Sequence, residues 1–249
     1  MSKEKWVEKC LHWKQKWPVY SSEFDDDTDG INLYYIIESL NKICDKNTTY
    51  VTDAGTAYYV ASQNLNLKKG QKLVFPGAQA DMGFSLPASI GIGFASRDKN
   101  VVVITGDGSF NTNIQELATI KANDIKTKFI ILNNEGYLSI RNTQAKFYNG
   151  HLYGESPSTG LWFPSFEDVA KTYKLEYYKI SNNQELIECL SKNIHKDECA
   201  IYDIKCKYVQ EVIPTLSLKK SSDGSLIQCG LNDMFPFLDM EDLSNEASS

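Results

Sequence analysis

The 249-residue sequence has no run of apolar residues near the roughly 18 to 20 that a bilayer crossing needs, and its opening MSKEKWVEKC is charged throughout. Neither a membrane span nor a secretory leader is expected from such text. The six cysteines, at 10, 44, 189, 199, 206 and 229, form no C-x-x-C pair and no zinc-type spacing. A disulfide framework and a thiolate metal site are thereby disfavoured, and free thiols in a reducing cytoplasm are the expectation. Histidine is scarce: His12, His151 and His195 stand at no spacing that suggests a triad. There is no G-x-G-x-x-G, which argues against a dinucleotide site. Basic residues are too few as well, 26 against 32 acidic for a net charge of -6, the wrong sign for a protein that tracks a phosphodiester backbone.

What the sequence does contain is enough apolar material for a packed core, 42% of residues, with 12% aromatics. Trp6, Cys10, Trp13 and Trp17 recur at helical steps up to Pro18, predicting an amphipathic helix over 4–20. The run Asp25-Asp26-Asp27 with Thr28, Asp29 and Gly30 reads as a solvated linker, and Leu33, Ile36, Ile37, Leu40 and Ile43 open a second helix. From Thr49 onward short apolar runs at 49–52, 72–75, 101–105, 129–133, 175–180 and 200–205 alternate with helical patterns near 57–65, 85–96, 114–122, 166–173 and 183–194. This rhythm predicts an α/β protein, a three-layer α/β/α sandwich around a mainly parallel sheet. VVVIT (101–105) and FIILN (129–133) are apolar at both alternating positions and are predicted to be its centre. The expected organisation is a helix and acidic linker over 1–29, one domain over 30–207, and a docking tail over 208–249.

In open parallel sheets ligands collect beyond the carboxyl ends of the strands. VVVIT runs into Gly106-Asp107-Gly108-Ser109, and FIILN runs into Asn134-Glu135-Gly136-Tyr137. Glycines beside an acidic residue let backbone N–H groups approach an anion, and the helix that follows favours phosphate at Gly108 and Ser109. Asp107 would then repel that phosphate unless a divalent cation stands between them. Magnesium, which shares an oxygen shell between protein and diphosphate, fits the need, with the Asn134 side chain and the Gly136 carbonyl as further ligands.

The spacing GDGS(x23)NN resembles the diphosphate and metal signature of thiamine diphosphate enzymes. Residues 30–205, with PGAQADMGFSLPASIG (76–91), GDGSFNTNIQELATI (106–120) and LNNEGYLSIRNTQAKFY (132–148), resemble the C-terminal cofactor-binding domain of acetolactate synthase-like proteins. The resemblance implies the thiamine diphosphate-binding fold, with Asp107, Asn134 and Gly136 as magnesium ligands. Gly108 and Ser109 would hold the diphosphate, approached by Gly55 and Thr56, with Gly106 and Tyr137 completing the set. Met82 would sit under the thiazolium ring, and the Ala80 and Met82 backbone would meet the aminopyrimidine. The chain departs from the family at Thr56-Ala57, where well-known acetolactate synthases carry Gln-His. A substrate-selecting Trp aligns with Thr143, with Ser139 and Ile140 nearby, so these three are the substrate candidates. Tyr137, Arg141 and Gln144 are further candidates for an anionic substrate, and His151 is the one histidine close to the site.

The same resemblance implies decarboxylation of a pyruvate-like 2-oxo acid followed by carboligation. The activating Glu would come from a pyrimidine-side domain or subunit, and FAD, where a parent enzyme uses it, would sit outside this chain. The chain is therefore read as the C-terminal third of a longer enzyme or one subunit of a split one, cytoplasmic and homo-oligomeric, bound to neither nucleic acid nor membrane. The alternatives are the cofactor-binding subunit of a split 2-oxo acid decarboxylase and a non-catalytic binding or assembly module.

Overall fold

Each of the six apolar runs becomes a strand. In the computed structural model, which describes residues 2–220, 224–231, 233–239, 241, 242, 244 and 246, these are β1 (Thr48–Thr52), β2 (Lys72–Val74), β3 (Asn100–Gly106), β4 (Thr127–Asn133), β5 (Glu176–Ile180) and β6 (Ala200–Lys205). They pair in parallel in the order β2-β1-β3-β4-β6-β5. The two doubly apolar strands β3 and β4 are central, as strands covered on both faces must be. Their register sets Gly106 opposite Leu132. The two turns that follow therefore leave the sheet side by side.

Helices cover both faces. On one, α2 (Leu33–Ile43) packs against α3 (Thr56–Asn64) and α9 (Asn183–Asn193); the Asn32 side chain caps α2 by accepting from the Tyr34 N–H, and Leu33, Ile36, Ile37 and Leu40 are buried. On the other, α4 (Ser85–Ala95), α6 (Leu117–Ala122) and α8 (Phe166–Tyr173) cover a core in which Phe110 meets Phe129 and Phe166 edge-on, at 5.3 and 5.8 Å between centroids. The result is a three-layer α/β/α sandwich.

Some elements differ from the sequence expectation. The helix predicted over 114–122 opens with a 3-10 turn over Ile114–Glu116 before α6, and Asn113 separates it from the short α5 (Asp107–Thr112). The Asn113 amide donates to the Gly83 carbonyl at 2.9 Å, tying this turn to the 81–85 loop. A further helix, α7 (Leu138–Phe147), is not among those the sequence pattern predicted. The acidic run is held rather than free: Asp26 pairs with Lys207 at 2.7 Å, and Asp27 accepts from the Asn183 N–H at 2.7 Å.

Tyr20–Gln210 form one compact unit. A second comprises residues 1–19 and 211–249, in which α1 (Lys3–Lys16) stops two residues before Pro18, and the short antiparallel pair β7 (Leu218–Lys220) and β8 (Leu226–Gln228) forms within the tail. Within this unit the Trp13 indole N–H donates to Glu246 at 2.7 Å, and Lys16 pairs with the same carboxylate at 3.0 Å. Among the described residues no helix is long and apolar enough to cross a membrane.

At the amino end of β4, Lys128 is buried, and its ammonium donates to the carbonyls of Lys196, at 2.7 Å, and Glu198. Burial pulls its pKa below the ordinary lysine value. Lys128→Met removes the donor that closes the turn before β6, and should lower unfolding free energy in urea by about 1–2 kcal/mol.

Candidate functional site

Asp107 begins α5 at the end of β3 and is 1% exposed. Its Oδ1 accepts from the Gly108 N–H at 2.6 Å and its Oδ2 from the Gly136 N–H at 2.9 Å. One carboxylate thus joins the two turns that the register of β3 and β4 brings together. Burial pushes its pKa up to about 6, and the N–H groups of Gly136 and Gly108 and the Arg141 charge only partly oppose that shift. Beside it Asn134 is 5% exposed, and its Oδ1 has no hydrogen-bond partner among the described residues. A buried acceptor left open next to a buried anion is costly unless a positive group completes it.

Gly136 must be glycine. Its φ is +145°, and a Cβ there would fall on the Glu155 carbonyl oxygen. Gly108 is constrained likewise, since a Cβ would enter the Tyr137 ring. Glu135 has φ +60° and Ala80 +53°, left-handed conformations that non-glycine residues seldom adopt and that gather at ligand sites.

The opposite rim is organised by Asp53, fully buried after β1. Its Oδ1 accepts from the N–H of Gly83 (2.7 Å) and Ala54 (3.0 Å), and its Oδ2 from the Ser85 N–H (3.3 Å), Ser85 Oγ (2.5 Å) and Thr105 Oγ1 (3.1 Å). This carboxylate fixes the loop that carries Met82.

Between the rims lies a cleft of about 100 Å³. Gly55, Thr56, Met82, Gly106, Asp107, Gly108, Ser109, Asn134, Gly136, Tyr137, Ser139 and Ile140 all line it, so the structure brings these sequence candidates together. Thr56 Oγ1 and Ser139 Oγ share a hydrogen bond at 3.0 Å across it. Ala80 and Thr143 are not among its lining residues: Ala80 is exposed and its N–H donates to the Pro76 carbonyl at 3.2 Å, while Thr143 is exposed on α7 with its hydroxyl on the Ser139 carbonyl. Gln144 bonds the Tyr153 backbone and His151 is exposed in a loop. Arg141 does not line the cleft; it is 2% exposed and paired with Glu155, whose side chain is fully buried. A wider cleft of about 780 Å³ lies across the Asn133–Glu135 turn and contains neither Asp107 nor the glycines.

Asp53 and Glu155 escaped the sequence reading. A charged residue directly after TYVT is a usable signal for Asp53; nothing local marks Glu155. Chemically, one carboxylate, one free amide oxygen and backbone N–H groups at glycine turns suit a hard divalent cation with a phosphorylated ligand. Among the described residues there is no cluster of three or more His, Cys, Asp and Glu, so any ion here takes amide and carbonyl oxygens beside its single carboxylate. Asp53→Asn would set an NH2 against at least two of these donors, and should lower stability by about 2–3 kcal/mol. Hydrogen exchange is expected to rise selectively over residues 81–85.

Residues 53–204 match the family described as thiamine pyrophosphate enzyme, C-terminal TPP binding domain. The chain is 28% identical over 207 residues to a chloroplastic acetolactate synthase of Arabidopsis thaliana, covering 82% of this chain and 30% of that protein. It is 28% identical over 218 residues to the acetolactate synthase large subunit of Lactococcus lactis, covering 88% and 37%. Against the acetolactate synthase isozyme 1 large subunit of Escherichia coli it is 27% identical over 186 residues, covering 75% and 33%. The chain thus spans about a third of the length of these relatives. The match begins at the buried Asp53 and ends in β6, enclosing both glycine turns, and the chain belongs to the thiamine pyrophosphate enzymes through their C-terminal TPP binding domain.

Proposed function

We propose that this chain is the cofactor-binding part of an acetolactate synthase-like enzyme that decarboxylates a pyruvate-like 2-oxo acid and joins the remainder to a second carbonyl compound. The observation that carries the reading is the buried Asp107 carboxylate beside the Asn134 amide oxygen, which has no partner among the described residues, at two strand ends inside the matched span. Thiamine diphosphate, when bound, supplies the carbanion chemistry. The chain's own residues bind and orient. Asp107, Asn134 and the Gly136 carbonyl would hold magnesium, and Gly108 and Ser109 would meet the diphosphate, through the Ser109 N–H and the close approach that Gly108 allows, since the Gly108 N–H is engaged by Asp107. Met82, 40% exposed at the rim, offers an apolar support for the thiazolium, and Ser139 and Ile140 stand where a substrate would approach. With the Ala80 N–H already engaged, its carbonyl is the group left for the aminopyrimidine.

A second domain or chain completes the site. At about 100 Å³ the cleft is smaller than the roughly 300–1,000 Å³ of a self-sufficient small-molecule pocket. The activating Glu belongs, on this reading, to the covering partner.

Calorimetric titration with thiamine diphosphate should show binding that requires magnesium and weakens about tenfold or more in Asp107→Ala. Binding indifferent to both metal and substitution would refute the site. The chain alone is expected to consume no pyruvate, and measurable turnover would refute the need for a partner.

Asp107 also predicts a pH dependence. Its folded pKa of about 6 exceeds the ordinary 3.8, so its contribution to stability is fully present below about pH 4 and is lost as pH rises through 6. In chelator, Asp107→Asn should therefore gain about 2–3 kcal/mol on the wild type between pH 4 and pH 7.5. Magnesium should shrink that gain by stabilising the ionised carboxylate.

A further inference from the structure

Among the described residues Arg141 is one of the largest fully buried side chains. Its Nε donates to Glu155 Oε2 at 2.5 Å. Its Nη1 donates to the Asn134 carbonyl at 3.2 Å and to the Tyr208 carbonyl, and its Nη2 to the Glu135 carbonyl at 3.3 Å. The guanidinium also lies over the Tyr208 ring, 3.5 Å from the centroid.

The peptide group between Glu135 and Gly136 is the informative one. Its carbonyl accepts from Arg141, and its N–H donates to Asp107 Oδ2 at 2.9 Å. One peptide unit is therefore strung between a buried cation and a buried anion, an alignment in which each bond polarises the next. The preceding peptide is held by its carbonyl too, so Glu135 is pinned on both sides in its left-handed conformation. Glu155 closes the other end, because its carbonyl accepts from the Tyr137 N–H at 2.8 Å while its carboxylate holds Arg141.

We infer that Arg141, with Glu155 as its counter-ion, is a positioning residue that sets the Asn134–Gly136 turn in the geometry its ion-binding groups need. The inference rests on the proposed magnesium site for its functional meaning and on hydrogen bonds alone for the turn. Only a guanidinium spans these acceptors: its donors diverge in a plane, whereas a lysine ammonium offers three donors from one atom. Arg141→Lys thus keeps the charge opposite Glu155 and loses simultaneous hold on Asn134 and Glu135.

The test uses the full chain as wild type, Arg141→Lys, Arg141→Met and Lys128→Met, the last perturbing the far end of β4, the strand that leads into this turn. Two quantities are measured: magnesium affinity in the presence of thiamine diphosphate by calorimetry, and exchange of the Gly136 and Tyr137 amides in the metal-free chain. Arg141→Lys should weaken magnesium about tenfold or more, with a comparable rise in exchange at those two amides. Lys128→Met should lower the melting temperature and change neither. Wild-type affinity and exchange in Arg141→Lys would overturn the inference, as would equal losses in Lys128→Met. Should Arg141→Met not fold, the lysine variant carries the test. If wild type binds no magnesium, the proposed function fails, and the exchange measurement alone decides whether Arg141 sets the turn.

Discussion

A buried carboxylate shared by two backbone N–H groups from different strand ends is the constraint around which this site is built. Asp107 receives one N–H from its own turn and one from the turn after β4. That sharing is possible because the central strands end level with each other, Gly106 opposite Leu132. The same burial that raises its pKa to about 6 makes the ionised form expensive in the absence of a cation. A fold selected for stability alone would have little reason to place an acid there. The expense is intelligible on the proposed reading, in which the position holds a divalent ion, and the Asn134 amide oxygen, without a partner among the described residues, supports that reading.

Asp107 is one of three buried carboxylates at this end of the sheet, each tied to a different loop. Asp53 gathers five donors and fixes the 81–85 segment, while Glu155 anchors Arg141 and, through its carbonyl, the start of α7. None of them lies within the apolar cluster that Phe110, Phe129 and Phe166 help to form. Buried ionic groups are weak contributors to net stability, since apolar replacements of similar volume are often neutral or stabilising. Their value here is geometric. Loops carry backbone polar groups that need partners, and a carboxylate with several acceptor positions can order a loop that has no ladder to join.

The sheet was legible from sequence because its signals are local. Runs buried on both faces read as runs, and VVVIT and FIILN marked the centre by being apolar throughout. The glycine turns were legible for the same reason, sitting directly after those strands. What escaped depends on partners distant in the chain. Arg141 sits in a polar stretch that suggests an exposed or substrate-facing cation, and only Glu155, with the carbonyls of Asn134, Glu135 and Tyr208, makes its burial tolerable. The short α5 ahead of the helix predicted over 114–122 stops at Asn113, whose amide bonds to Gly83, thirty positions away. Thr143 and Ser139 lie one helical turn apart on the same face of α7, yet only Ser139, in the first turn, lines the cleft, and α7 itself was not visible as a period in the sequence.

The distribution of polar and apolar groups along the cleft bears on why a domain of this kind would act with a partner. The floor is polar and enclosed, with Asp107, Ser109 and Asn134 each under a tenth exposed. The rim is apolar and open, with Met82 40% and Ile140 41% exposed. A charged headgroup and its ion find buried, oriented partners on the floor, where electrostatic interactions are strongest. The apolar rings of a bound cofactor would find support on one side and water on the other. Chemistry that develops negative charge on carbon needs the water excluded as well as the headgroup held. An enclosed polar floor beneath an open apolar rim is consistent with the proposed division, in which this chain holds the headgroup and a second surface encloses the rings.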